Sequence, residues 1–245
     1  MSKWQTEQLA GMFLRDVRGA IPGARLQLQV LTHISKSWCN APSRILDLGC
    51  GDGIIGRTLM NAFPEAQVVF ADFSDPMLEA AQKALGRNPR ASVVKADFST
   101  PAWMQAVRSR PAEPLFDLVV SGLAIHHQPD GRKKQLYAEI HEILAPGGVF
   151  LNLEHVASHS QAGKKLFDEF FIDSLWEYHS AIDKTKTREA IASSYYDRPD
   201  KVENILAPVE EQCQWLRQMG FTDVDCFLKV FELAIFGGRK ARFVK

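Results

Sequence analysis

The sequence predicts an α/β fold: a doubly wound sheet, mostly parallel, with an antiparallel C-terminal strand. Three observations lead there. Five short apolar runs alternate with longer amphipathic stretches, a glycine-rich turn joins the first run to the first long stretch, and two strand candidates lie back to back near the C-terminal end. Parallel neighbours require long crossovers, which dominant right-handed chirality places over the sheet, whereas strands separated by a tight turn run antiparallel.

Residues 1–38 carry two helical patterns broken near Ile21-Pro22-Gly23. The strand-length runs are Arg44–Leu48, Ala66–Ala71, Ala91–Lys95, Phe116–Val120 and Val149–Leu153. Between them, the stretches at about 54–63, 75–86, 101–110 and 131–144 are long enough for crossover helices. A helix at about 208–219 ends at Gly220, and Thr222–Val230 and Glu232–Phe236 complete the antiparallel pair, with Phe231 assignable to either. Residues 156–206 stand outside this alternation and hold Phe167, Phe170, Phe171, Leu175, Trp176 and Tyr178 at helical spacing. Such a stripe is either ordinary core packing or a cap over the C-terminal end of the sheet, where open α/β folds hold their ligands. The expected organisation is one domain over 1–245. It comprises a helical cover at 1–40, a core at 41–155 and 207–245, and a helical insertion at 156–206 before the sixth strand.

The chain has 245 residues, 46% of them hydrophobic, which excludes a disordered protein and suits a well-buried core. Its 29 Lys+Arg balance 29 Asp+Glu, so there is no global attraction to a phosphate backbone or an anionic lipid surface. No nucleic acid and no membrane are expected as partners, and the tail cluster Gly237–Arg242 reads as a solvated terminus. No apolar stretch has signal-peptide character or reaches the ~20 residues of a membrane helix, which predicts a soluble, cytoplasmic protein. Cys39, Cys50, Cys213 and Cys226 form no C-x-x-C pair and have no histidine at zinc-finger spacing, so reduced thiols and no metal are expected.

Function is carried first by Asp47-Leu48-Gly49-Cys50-Gly51-Asp52-Gly53-Ile54-Ile55-Gly56, directly after a strand and before a helix. Glycines let the chain turn sharply and let a ligand approach the backbone, and the helix start offers unpaired N–H groups. Gly51-x-Gly53-x-x-Gly56 alone is a weak dinucleotide fingerprint. The second strand ends in Ala71-Asp72-Phe73-Ser74, so a carboxylate stands at the sheet edge beside the loop, where it can accept both hydroxyls of a ribose. An adenosine ligand fits. Ser74 is the expected N-cap of the following helix, with Pro76 in its first turn.

With these residues the sequence resembles the class I S-adenosylmethionine-dependent methyltransferases, whose fold is Rossmann-like. Asp47-x-Gly49-x-Gly51-x-Gly53 is similar to the family's first motif, Lys95-Ala96-Asp97-Phe98 to its adenine-edge motif, Phe116–Ser121 to its fourth-strand motif, and Leu144–Val149 to the turn before its fifth strand. The resemblance implies S-adenosylmethionine as cofactor. It implies the methionine part over the loop of Gly49, Cys50, Gly51 and Gly53, with Asp47 near the ligand's charged end. It further implies Asp72 on the ribose, Phe73 and Met77 along the adenine, Asp97 and Phe98 at the adenine edge, and Ser121 at the end of the fourth strand. A nicotinamide-dependent oxidoreductase shares the strand, loop and helix but has a fully parallel sheet, which leaves it as an alternative.

Methyl transfer from a sulfonium is an in-line displacement with a good leaving group, so alignment carries most of the catalysis and a base is needed only where the acceptor must lose a proton. His126 and His127 follow the fourth strand and His155 follows the fifth; His126 is the first choice as base, with a helix-capping or hydrogen-bonded role for at least one of the three, or a metal site, as alternatives. His127, His155, Trp176, Tyr196 and Arg198 are expected near the acceptor if the insertion is a lid, with Tyr178, His179 and Tyr195 in the same segment. The insertion and tail distantly resemble the carboxy-S-adenosylmethionine synthase branch, which implies for Arg198 a hold on a cofactor carboxylate; the alternative is a surface arginine. The expected activity is methyl transfer to a small-molecule acceptor, with a cofactor-modifying enzyme of that branch as an alternative and a homodimer left open.

Overall fold

The computed structural model describes residues 3–108 and 115–242. Seven strands form one sheet: β1 (Arg44–Leu48), β2 (Gln67–Asp72), β3 (Ala91–Lys95), β4 (Phe116–Gly122), β5 (Leu144–His155), β6 (Phe221–Val230) and β7 (Leu233–Lys240), in the order β3-β2-β1-β4-β5-β7-β6. β1 to β5 are mutually parallel where they pair, and β7 runs antiparallel to both β5 and β6. The reversed strand is therefore the last one, threaded between β5 and β6, as the short link at Phe231 requires. Phe231 belongs to neither strand and turns with a positive φ of 51°.

Strand alternation feeds two cores. Leu46, Leu48, Val119 and Phe150 face α5 (Trp103–Val107), α6 (Asp130–Ile143) and α9 (Val209–Gln218), while Ile45, Phe70, Val120 and Leu151 face α2 (Ala24–Trp38), α3 (Ile54–Ala62) and α4 (Asp75–Leu85). A sheet covered on both faces explains why its strands read as short continuous apolar runs. A third cluster lies beyond the C-terminal strand ends. Val17, Ile21, Phe167, Phe171, Leu175, Tyr195 and Leu233 join the N-terminal segment to α7 (Gln161–Ile182) and α8 (Arg188–Tyr196). The aromatic stripe of the insertion thus serves both readings, packing a small core that is also the roof over the sheet end.

Several boundaries and one cap differ from expectation. The helix expected at 101–110 is only Trp103–Val107, because Arg108 leaves helical dihedrals; residues 109 and 110 lie outside the described residues. β5 begins at Leu144 because Leu144 pairs with Phe116 before the register shifts, and Gly147, at φ 82°, carries the Pro146-Gly147-Gly148 turn inside the strand. Ser74 holds the N-cap position of α4, but its hydroxyl donates to the Trp4 carbonyl at 2.6 Å, tying the N-terminal segment (α1, Glu7–Met12, follows it) to the end of β2.

The insertion is also pinned from below. Lys133 of α6 is fully buried, donating to Asp130 Oδ1 at 2.7 Å and to the Ile205 carbonyl, and Ile205 N–H donates to the His126 carbonyl at 2.9 Å. Lys133→Met removes the charged donor from Ile205 and is expected to destabilise the fold by about 1–3 kcal/mol. Faster amide exchange at Ile205, measured by mass spectrometry, would show the release; unchanged exchange would mean that the turn is held without it.

Candidate active site

The strand order reverses between β1 and β4, and a crevice opens outside their carboxyl ends, as open α/β sheets dictate. It is a cavity of about 630 Å³ bounded by the glycine loop, the ends of β2, β4 and β5, the N-terminal segment and the insertion. That size is ordinary for a site holding small molecules.

Asp47, the penultimate residue of β1, has its side chain on the α3 side, where Oδ2 accepts from Gly56 N–H at 2.7 Å. A Cβ at Gly56 would come within 2.3 Å of the Phe70 ring, so only glycine lets α3 start this close to the sheet. Asp72 Oδ2 accepts from Gly51 N–H and Oδ1 from Ser74 N–H, both at 2.9 Å. Gly51 has φ 54°, and a Cβ there would project into open space, with Met77 Sδ the nearest atom at 4.0 Å. Bare backbone and two carboxylates facing a void fit an adenosine ligand bearing positive charge.

Burial pushes both acids up, Asp47 to about 7 despite the Gly56 bond and Asp72 in the same direction against its bonds from Ser74 and Gly51. For Asp47, a folded pKa above the ordinary 3.8 means stability that is present below pH 3.8 and lost as pH rises to about 7. Asp47→Asn keeps an acceptor for Gly56 N–H without the buried charge. It is expected to melt higher than the unaltered protein at about pH 8, by about 2–4 °C per kcal/mol recovered, with the gap closing towards pH 4. Equal melting temperatures at both pH values would remove Asp47 as a source of the pH dependence.

On the opposite wall, His126 Nδ1–H donates to Glu154 Oε1 at 2.6 Å. Glu154 is 0% exposed, also accepts from His155 N–H at 2.9 Å, and is pushed up to about 7 by burial. His127 is driven down to about 3, by burial and then by His126, so its ring is neutral; Nδ1–H donates to the Glu203 carbonyl at 3.3 Å. His155 Nε2–H donates to Glu232 Oε2 at 2.9 Å. Leu123, between β4 and these histidines, takes a positive φ of 53°, the strained backbone common where a site is shaped.

Of the residues singled out in the sequence, Asp47, Gly49, Cys50, Gly51, Asp72, Phe73, Met77, Asp97, Phe98, His126, His127, His155 and Arg198 border the cavity. Gly53 does not; it starts α3 from a left-handed conformation, φ 77°. Ser121 is corrected to a structural role, since it is fully buried and its hydroxyl donates to the Leu48 carbonyl at 2.7 Å, pinning β4 to β1. Trp176 and Tyr196 are likewise corrected, because they sit 38% and 50% exposed on the outer side of the roof, away from the cavity. Tyr178 and His179 also stay outside the lining, and Tyr195 enters it.

Sequence reasoning missed Glu154 and Glu232 as imidazole partners, although Glu154-His155 at a strand end was a usable signal. It also missed Arg18, whose Nη2 bonds Asp52 Oδ1 at 3.0 Å and clamps the N-terminal segment onto the glycine loop. Lys201, Glu203 and Asn204 border the cavity too, with no motif to announce them. Among the described residues, no group of three metal-ligand side chains stands together, and no helix is long and apolar enough to cross a membrane.

Comparison with known proteins gives the same reading of the core. Residues 45–148 match a family model described as a methyltransferase domain. The chain is 25% identical over 232 residues to a carboxy-S-adenosyl-L-methionine synthase of Shewanella amazonensis, covering 93% of this chain and 88% of that protein. It is 31% identical over 156 residues to a trans-aconitate 2-methyltransferase of Variovorax paradoxus, 63% of this chain but only 55% of that one, so it spans about half of such relatives. Among solved structures, PigF with SAH superposes with a TM-score of 0.62 at 15% identity, over 97% of this chain and 60% of that one. With the reversed β7, the glycine loop and the acid after β2 in place, residues 45–148 form a methyltransferase domain, and the chain is similar over most of its length to an enzyme of S-adenosylmethionine chemistry.

Proposed function

We propose that the protein transfers a methyl group from S-adenosylmethionine to a small-molecule acceptor, with His126 as the base that takes the acceptor's proton. The observation that carries this reading is His126, which borders the same cavity as the glycine loop and lies 2.6 Å from the fully buried Glu154. Asp72 takes the ribose hydroxyls, Phe73 and Met77 flank the adenine, Asp97 and Phe98 meet its edge, and Gly49, Cys50 and Gly51 offer backbone to the methionine end near Asp47. Bound there, S-adenosylmethionine supplies an electrophilic methyl. Glu154 orients the His126 ring through Nδ1 and balances the charge that the ring gains on taking a proton. The roof of Phe167, Phe171 and Tyr195 excludes water and orients the acceptor, and that alignment carries most of the rate.

A second reading, modification of the cofactor by a carboxyl group, is favoured by the near full-length similarity to the synthase and by Arg198 at the cavity wall. Native mass spectrometry of the purified protein, with S-adenosylhomocysteine and NAD added in competition, separates these. Uptake of S-adenosylhomocysteine supports methyl transfer, a carboxylated adduct moves the assignment to the second reading, and binding of NAD alone overturns both.

A further inference from the structure

Behind the loop proposed to meet the adenine edge lies a polar network that the proposed chemistry does not use. Arg132 of α6 donates from Nε to the Phe98 carbonyl at 2.9 Å, while its Nη1 and Nη2 donate to Glu139 Oε1 and Oε2 at 2.7 and 2.6 Å. Glu139 stands two turns further along α6, on the same face, and Oε2 also accepts from Trp103 Nε1 of α5 at 2.6 Å. The arginine and glutamate side chains are only 9% and 12% exposed, and Trp103 is buried. One planar guanidinium thus serves three oxygens, which fixes both its place and its orientation.

Residues 96–98 are tethered at both ends. Ala96 N–H donates to the Asp72 carbonyl at 2.8 Å, tying the segment to the end of β2, and Arg132 holds the other end at Phe98. Asp97 lies between these anchors and is braced by Ser99 N–H, which donates to its Oδ1 at 2.8 Å. The Phe98 ring borders the cavity, and a Cβ at Gly49 would come within 3.2 Å of it, so the ring is seated against the glycine loop. Arg132, Glu139 and Trp103 themselves stay outside the cavity lining, so a shift of the fork reaches a ligand only through Phe98 and Asp97. An ion pair withdrawn from water often adds no net stability over apolar side chains of the same volume; what it supplies is a fixed geometry.

Resting on the methyltransferase reading, we propose that Arg132 is a positioning residue for cofactor recognition. With Glu139 and Trp103 it holds the Asp97–Phe98 wall in place against the glycine loop, and through that wall it sets the preference for adenine over a 6-oxopurine. Adenine presents a donating amine at the edge where hypoxanthine presents a carbonyl, and a fixed acceptor rejects the carbonyl because two acceptors then face each other. Such discrimination requires the acceptor to be held to within about 0.5 Å, which is what a tether at each end of a short segment provides.

The test is calorimetric and compares S-adenosylhomocysteine with S-inosylhomocysteine, which differ only at the edge of the base. The unaltered protein is expected to prefer the adenine form by about tenfold or more, the effect of one well-placed hydrogen bond. Arg132→Lys keeps a positive charge beside Glu139 but cannot hold the carboxylate and the Phe98 carbonyl together, and it is expected to lower that ratio by about threefold or more, through weaker binding of the adenine form. Glu139→Gln releases the fork from its other side and should act in the same direction, so the ratio is still readable should Arg132→Lys not fold. A purely structural role would lower the melting temperature of the variants and leave the ratio as it was; that result overturns the proposal, as does a ratio near one in the unaltered protein. Failure of the unaltered protein to bind S-adenosylhomocysteine overturns the methyltransferase reading instead.

Discussion

Asp72→Ala is expected to lower affinity for S-adenosylhomocysteine by roughly 10²–10⁴-fold, the loss of two charge-assisted bonds of about 1.5–3 kcal/mol each. The carboxylate is well placed for that role, because burial within β2 fixes it and two backbone N–H groups orient it while its outer lone pairs face the cavity. Those same bonds predict a second effect. Alanine strands the Gly51 and Ser74 amides at a buried position, so the melting temperature should fall as well, by about 1–3 kcal/mol of stability for each donor that water does not reach. Asp72→Asn separates the two effects, since its amide oxygen can still serve one of the backbone donors. Isothermal titration gives the affinity and thermal melts give the stability; an affinity unchanged in the folded alanine variant would sink the ribose assignment.

The largest catalytic effect is expected from His126→Ala, a fall in kcat of about 10²–10⁴-fold with normal affinity for S-adenosylhomocysteine. Glu154→Gln should reproduce much of it, because a neutral amide no longer balances the charge that the imidazole gains. The sign of the pH dependence follows from Glu154. Burial raises its carboxyl to about 7, so the pair carries an extra proton below that pH and sheds it above. Activity should therefore rise with pH through about 7 and then level off, and Glu154→Gln should displace this limb. Stability runs the opposite way, present in full below the ordinary 4.5 of the carboxyl and lost as pH rises to about 7, so the most active form is not the most stable one. A turnover number unchanged by His126→Ala, once an acceptor is in hand, would return the histidine to a structural role.

The two imidazole–carboxylate pairs are tied to the same elements that build the roof. His126 shares its turn with His127, whose bond to Glu203, with that of Ile205 to the His126 carbonyl, stitches the insertion to the end of β4. Glu232 sits in the turn before β7 and, through His155 and Ser158, joins that turn to the segment leaving β5.

The sequence by itself determined the sheet, the reversed last strand and the half of the cavity proposed for the cofactor, because each depends on neighbours in the chain. Alternating apolar runs and crossovers allow few topologies, and Asp47, the glycine loop and Asp72 occupy the ends of adjacent parallel strands as a direct consequence of that topology. Ser121 was misread because the end of a strand can face either the cavity or the next strand, and only the register with β1 decides. Trp176 and Tyr196 were misread because a helical aromatic stripe wider than one face must leave some rings outside. The histidine side of the cavity was decided by tertiary structure alone. Glu154 meets His126 across 28 positions, Glu232 meets His155 across 77, and Arg18 meets Asp52 across 34. No local periodicity encodes such contacts; they exist because the end of β4, the end of β5, the turn before β7 and the N-terminal segment are folded onto one crevice and buried there together.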